Sequence, residues 1–330
     1  MLAERLRELI RARGPIPFRD WMEAALYDPE FGYYTRSDRK RWGKEGDYRT
    51  SAERSELFAA TFARYFAKLY DELGAPSHWT IVEGGAGEGS FARRVQRALA
   101  EEYPRVFEAT HYKVSEIGSV IDPSPSNPCL YFSNELLDAF PVHRLANEGE
   151  LYVTLDEKGH FVWQVGPLST PRLAQFNPAA GQVIEVNLAI DDWLASVVEK
   201  LKPEYVITVD YGAEATELYD PSLRPNGTLR AFSKHGFVDD VLSAPGEYDI
   251  TSSVNWTQVK ATGERLGLEV VEFASQDKFL LKAGLLEELD HRLKQIETEA
   301  DKLRLTTDAR EMILPGGMAS SFQVLVQRRK

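Results

Sequence analysis

The stretch Trp79–Arg94, WTIVEGGAGEGSFARR, constrains the fold more than any other part of the chain. Thr80, Ile81, Val82 and Glu83 read as a short strand, and Phe91, Val95, Ala98 and Leu99 fall at helical spacing. Gly84 to Gly89 must therefore join a strand to a helix. Gly84, Gly85, Gly87 and Gly89 together weaken local structure unless the backbone needs positive φ or a ligand approaches it closely. The helix start adds unpaired N–H groups and partial positive charge.

Two kinds of ligand suit such a turn. Gly87-Glu88-Gly89-Ser90-Phe91-Ala92 satisfies the G-x-G-x-x-A form of the dinucleotide fingerprint. Glu83-Gly84-Gly85-Ala86-Gly87-Glu88-Gly89 also reads E-x-G-x-G-x-G, which resembles motif I of class I S-adenosylmethionine (SAM) methyltransferases. A pyrophosphate is repelled by acids beside it, whereas SAM carries a sulfonium and an ammonium that Glu83 and Glu88 attract. The acids favour SAM over NAD. Glu116, at the end of a strand read over 111–115, lies 27 residues beyond Gly89 and is placed to bind ribose hydroxyls, since a carboxylate accepts two hydrogen bonds. That spacing does not separate the two cofactors, because the dinucleotide pattern expects about 20.

The 330 residues, 43% hydrophobic, suffice for one elaborated domain or two smaller ones. A net charge of −12 argues against non-specific nucleic-acid binding. No apolar run reaches membrane-spanning length. The charged, amphipathic N-terminus lacks the apolar core of a signal peptide, and Glu4 and Glu8 argue against a transit peptide. A single cysteine, Cys129, excludes an intrachain disulfide and suits a reducing compartment. These features predict a cytoplasmic protein. Histidines and acids do not share an element at ligand spacing, so no metal site is predicted.

Helices are predicted over 18–27, after a first helix ending at Gly14-Pro15, and over 55–73, where Phe58, Phe62, Phe66, Leu69 and Leu73 form a core stripe. Residues 31–53 lack a period and form a long loop, with Tyr33, Tyr34, Trp42, Asp47, Tyr48, Thr50 and Ser51 as candidate contacts to substrate or as surface packing. Cys129–Phe132 is a buried strand running into Asn134, Glu135 and, one turn on, Asp138. Tyr205–Val209 is another, ending at Asp210-Tyr211. Polar groups at the carboxyl ends of central strands lie where ligands bind in open α/β sheets. Short strands over about 142–190 read as an antiparallel insertion, and 281–304 as one amphipathic helix. His235 follows a strand over 228–232.

Several segments match one family in order. They are GPIPFRDWMEAALYDPEFGYY, GKEGDYRTSAERSELFA, EGGAGEGSF, FSNELLDAFPVHRL, VITVDYG, GTLRAFSKH and MILPGGMASSFQVLVQRR. The chain resembles the MidA family of class I methyltransferases, which includes the mitochondrial complex I assembly-factor arginine methyltransferases. The resemblance implies a Rossmann-like, mostly parallel seven-strand sheet, with a helical N-terminal extension (1–75) ahead of a SAM-methyltransferase core (76–330). It implies SAM contacts at Glu83, Gly84, Gly85, Gly87, Gly89, Glu116 and Asn134. It sets Asn134, Glu135 and Asp138 beside the transferred methyl, and Gly46-Asp47-Tyr48 over the pocket. Two departures are visible. Ala86 stands where such loops usually carry proline, and the span from Glu116 to Cys129 is too short for the helix and strand that typically add adenine contacts.

If the acceptor is an arginine, its permanently charged guanidinium needs a carboxylate fork. Glu135 is the first candidate, Asp138 or Asp210 the second, with Tyr211 and His235 as pocket-lining groups or proton acceptors. The acceptor itself, protein or small molecule, is not specified by the sequence. A SAM-binding protein acting through association is the alternative, resting on the shortened span, and an NAD-dependent oxidoreductase is the third reading.

Overall fold

The computed structural model describes residues 1–36, 56–116, 127–233, 236–314 and 321–330. The chain forms two compact units. One comprises Met1–Arg49, Leu137–Asp192 and Gly212–Val259, and the other Thr50–Leu136, Trp193–Tyr211 and Lys260–Lys330.

The second unit holds the glycine-rich stretch and is built on six strands of a seven-stranded sheet. Six strands follow one another across it: Leu268–Ser275, Phe322–Arg329, Tyr205–Ala213, Cys129–Asn134, Trp79–Gly84 and Thr110–Ser115. The last four are mutually parallel, and Phe322–Arg329 runs antiparallel to both of its neighbours. A seventh, Val254–Asn255, pairs in parallel with Gly212 and Ala213. Central parallel strands are buried on both faces, which explains their nearly unbroken apolar runs. Every residue of Trp79–Gly84 is buried. Thr110–Ser115 pairs only with Trp79–Gly84 among the described residues.

Over one face of this sheet lies the helix Glu56–Glu72, whose Phe58, Phe62 and Phe66 are fully buried. Phe91, from the helix Ser90–Glu102, stacks on Phe132 with centroids 4.8 Å apart, and Phe62 meets Phe132 edge-on at 5.1 Å. Each such side chain contributes about 1.5–3 kcal/mol by burial.

The region expected as one helix over 281–304 is instead three: Gln276–Ala283, Leu285–Gln295 and Glu299–Ile313. Gly284, at φ 101°, ends the first and opens the second, a left-handed geometry that favours glycine. Thr298 starts the third by accepting a hydrogen bond from the Asp301 N–H, 3.1 Å. The two breaks reset the helical phase, which leaves Leu303, placed on the apolar stripe by its spacing, 69% exposed.

The first unit contains the helices Leu2–Arg13 and Phe18–Tyr27 and an antiparallel sheet of Ile16–Pro17, Gly149–Leu155, His143–Ala146 and Val183–Val186, with Phe161–Gly166 on the outer side of Gly149–Leu155. Phe18, Trp21, Met22 and Leu26 share a core with Val142, Val153 and Phe161. The N-terminal helices therefore belong with the β-rich insertion, while Glu56–Glu72 belongs with the large sheet. These units divide the chain differently from a boundary near residue 75. Contacts distant in sequence, not the loop after the second helix, set the boundary.

Candidate active site

From Trp79–Gly84 the chain crosses to Thr110–Ser115 on one side, then returns to Cys129–Asn134 on the other. The strand order thus reverses at Trp79–Gly84. In open α/β sheets the crevice beyond the carboxyl ends at such a reversal is where ligands bind. Gly84–Gly89 follow one of these ends, and Asn134 and Glu135 stand at the other.

The glycine loop has the backbone its composition demands. Gly85, Gly87 and Gly89 lie at φ 68°, 56° and 68°. The Gly85 N–H donates to the Ser115 carbonyl at 2.7 Å, and the Gly89 N–H to that of Ala86 at 2.8 Å. Gly89 caps the helix Ser90–Glu102 with no side chain over its first N–H groups. Gly84 serves packing. A Cβ there would stand 1.8 Å from the Tyr131 hydroxyl. At Gly85 it would stand 2.9 Å from Leu136 Cδ1, whereas at Gly89 it would meet nothing nearer than Arg93 Nη1 at 3.6 Å.

Glu83 is buried, and its Oε2 accepts the Tyr112 hydroxyl at 2.9 Å. Burial pushes its carboxyl up to about 8; Tyr112 opposes the rise and Glu116 adds to it. Glu116, immediately past Thr110–Ser115, is exposed, as is Glu88 in the loop. Bare backbone, a helix start, the exposed Glu88 and Glu116, and a buried Glu83 that a cation would ionise fit a cationic nucleoside such as SAM better than a pyrophosphate.

Glu135 occupies the left-handed region at φ 50° without being glycine. Such a residue costs about 1–3 kcal/mol and persists where its surroundings over-determine it. Its N–H donates to the Val209 carbonyl at 2.9 Å, and Asn134 Nδ2 donates to its Oε1 at 3.2 Å. Asn134 Oδ1 is buried with no hydrogen-bond partner, an acceptor that a bound ligand's donor would satisfy. Asp210 is fully buried, and its Oδ1 accepts the N–H of Tyr211, whose ring meets Phe322 edge-on at 5.4 Å. Ser133 and Thr208 sit opposite each other on paired strands, both buried with unpartnered hydroxyls. In the sequence Ser133 and Thr208 show only as polar residues inside apolar strands, and Tyr112 and Tyr131 carry no signal of their own.

Other candidates lie in the first unit. Tyr33 is 2% exposed. Tyr34 donates to Asp249 Oδ1 at 2.5 Å and stacks on Tyr27, centroids 5.6 Å apart. Burial, then the Asp249 charge, pushes the Tyr34 phenol well above its ordinary range. Both tyrosines pack within that unit, ring against ring at 5.1 Å. Asp138 is buried there, and its carbonyl accepts the Ser252 N–H at 2.9 Å. Trp42, Asp47, Tyr48, Thr50, Ser51 and His235 lie outside the described residues. Among the described residues no group of three His, Cys, Asp or Glu is placed to hold a metal, and no helix is long and apolar enough to cross a membrane.

A family model described as "Putative S-adenosyl-L-methionine-dependent methyltransferase" matches residues 61–123 and 120–274, more than half of the chain. The mitochondrial protein arginine methyltransferase NDUFAF7 homolog of Drosophila melanogaster is 25% identical over 321 residues, 81% of this chain and 70% of that protein. Human mitochondrial protein arginine methyltransferase NDUFAF7 is 24% identical over 370 residues, 93% of this chain and 77% of that protein. A crystal structure from Burkholderia thailandensis, bound to S-adenosyl-homocysteine (SAH), is 27% identical with a TM-score of 0.84, covering 99% of this chain and 92% of that chain. The two NDUFAF7 relatives correct one expectation: they are named as mitochondrial proteins, which overturns the cytoplasmic location read from the N-terminus and the lone cysteine.

Proposed function

Because the chain belongs to the family of S-adenosyl-L-methionine-dependent methyltransferases whose model it matches, we propose that its methyl acceptor is a protein arginine and that Glu135 holds the guanidinium. The observation that carries the assignment of Glu135 is its backbone. A non-glycine residue held at φ 50° at the strand reversal is one whose placement the fold maintains at a cost. Two relatives are named protein arginine methyltransferases, which supports the acceptor class.

When bound, SAM supplies an electrophilic methyl on a sulfonium. The chain's own residues do the rest. Gly85, Gly87 and Gly89 leave backbone uncovered for the ligand, Glu116 provides negative charge at one strand end, and Glu83 at the other ionises as the cation binds. Glu116 carries two acceptor oxygens for vicinal hydroxyls. Asn134 fixes Glu135 through its Nδ2 and offers Oδ1 to the ligand. Glu135 orients the guanidinium by charge-assisted hydrogen bonds and accepts the proton released as the nitrogen is methylated. Alignment of nucleophile and methyl is where such a site gains most of its rate. Asp210, buried against the Tyr211 N–H, is the reserve carboxylate.

Glu135→Gln keeps the shape and removes the charge. The expected result is retained SAH affinity with methyl transfer to arginine-containing protein lowered by at least about a hundredfold. Unchanged transfer in a variant that still binds SAH removes Glu135 from this role. Transfer to another residue type in the wild-type protein overturns the acceptor class.

A further inference from the structure

We propose that Tyr112 is a positioning residue for the cofactor: from the edge strand it holds the Glu83 carboxylate at the end of the glycine-loop strand and governs the protonation state in which Glu83 meets a cationic ligand. The inference rests on the SAM reading above and adds a residue outside the motif.

The geometry comes from the register. Ile81 pairs with Tyr112 and Glu83 with Val114, so Tyr112 and Glu83 share a sheet face as a diagonal pair. Diagonal neighbours lie within reach of a long aromatic side chain. The Tyr112 hydroxyl reaches Glu83 Oε2 at 2.9 Å and is the hydrogen-bond donor to that carboxylate among the described residues. Burial first, and then the Glu83 charge, push the phenol well above its ordinary range, so it keeps its proton and donates.

Burial and two groups set the state of Glu83. Burial disfavours its charge, Tyr112 stabilises that charge, and Glu116, at the end of the same edge strand, repels it. Among the described residues Tyr131, on the other adjoining strand, also feels the Glu83 charge, a phenol that burial pushes up to about 12 and that stays neutral. With its carboxyl at about 8, Glu83 is mostly protonated at neutral pH before a ligand arrives. A cation beside it favours the ionised form, so binding releases a proton. Affinity then rises with pH, by up to about tenfold per unit for one proton, and levels off above the free protein's value. Removing the Tyr112 hydrogen bond moves that plateau to higher pH.

The test is calorimetric titration of the full chain with SAM and with SAH between pH 6 and 9, in buffers of differing ionisation enthalpy. Wild type, Tyr112→Phe and Glu83→Gln are compared. The wild type is expected to release a proton at pH 7 and to bind more tightly as pH rises towards 8. Tyr112→Phe is expected to bind about three- to tenfold more weakly at pH 7 and to recover at higher pH. Glu83→Gln is expected to lose the pH dependence and the proton release. Release with both ligands assigns the cationic partner to the ammonium, and release with SAM alone assigns it to the sulfonium; either supports the proposal. A Tyr112→Phe profile identical to wild type, or weakened equally at every pH, overturns it and leaves Tyr112 as packing. Failure of the folded wild type to bind either ligand at any pH overturns the SAM reading and this inference with it.

Discussion

Replacing Gly84 with alanine puts a methyl group where Tyr131 already stands. The new Cβ would lie 1.8 Å from the Tyr131 hydroxyl and 2.6 Å from Cζ, against ordinary contact at 3.4–4 Å. Gly84 is not among the positive-φ glycines, so backbone strain adds nothing and the cost is overpacking alone. The ring has little room to withdraw, being 2% exposed and set edge-on against Trp193 at 5.8 Å. Overpacking of this kind costs about 1–3 kcal/mol, and a rigid ring under the methyl places Gly84→Ala towards the upper end. For a unit of this size the expected fall in Tm is about 2–4 °C per kcal/mol. Thermal unfolding of Gly84→Ala, Tyr131→Leu and the double variant forms a cycle. Tyr131→Leu alone leaves a cavity and destabilises by about 2 kcal/mol or more. The double variant is expected to be more stable than the sum of the two losses predicts, by about 1–2 kcal/mol, because the methyl occupies the vacated space. Strict additivity, or a Gly84→Ala protein as stable as wild type, would refute the claim that the Tyr131 ring excludes a side chain at Gly84.

Two further outcomes are expected. Burial pushes the Cys129 thiol up to about 12, so the folded protein is expected to resist thiol reagents at pH 8 and to react only after denaturation; rapid labelling of the native state would contradict its buried placement. In the first unit, burial works against the Glu150 carboxylate, but hydrogen bonds from His143 and Ser169 outweigh it and hold its carboxyl below the usual range. A carboxyl lowered by folding contributes stability above its unfolded value of about 4.5, and that contribution is lost as pH falls through the folded one. Glu150→Gln is therefore expected to flatten the fall in Tm between pH 5 and pH 3, and an unchanged acid limb would remove Glu150 as its source.

Local signals made the central strands and the glycine turn legible in the sequence. Trp79–Gly84 and Cys129–Asn134 are apolar runs bounded by polar residues, and the phenylalanines of Glu56–Glu72 repeat at helical spacing. The turn declared itself because only a special backbone tolerates so many glycines. What escaped depends on register or on contacts distant in sequence. The Tyr112–Glu83 and Tyr131–Gly84 contacts exist only once Ile81 is known to face Tyr112 and Val82 to face Tyr131. The φ of Glu135 has no composition signature. Ile16–Pro17 and Asp249–Thr251 are too short to show a period. A lone Gly284 inside an amphipathic pattern reads as tolerated, although here it divides two helices. The pairing of the N-terminal helices with strands more than a hundred residues later follows from shared burial, which no window of sequence displays.

The fold and the family place SAM binding first among the properties to be measured. Calorimetric titration of the purified wild-type protein with SAM, SAH and NADH tests it most directly. Saturable one-to-one binding of SAM and SAH is expected, with none of NADH. Binding of NADH, or failure of a folded sample to bind SAM and SAH, would contradict it.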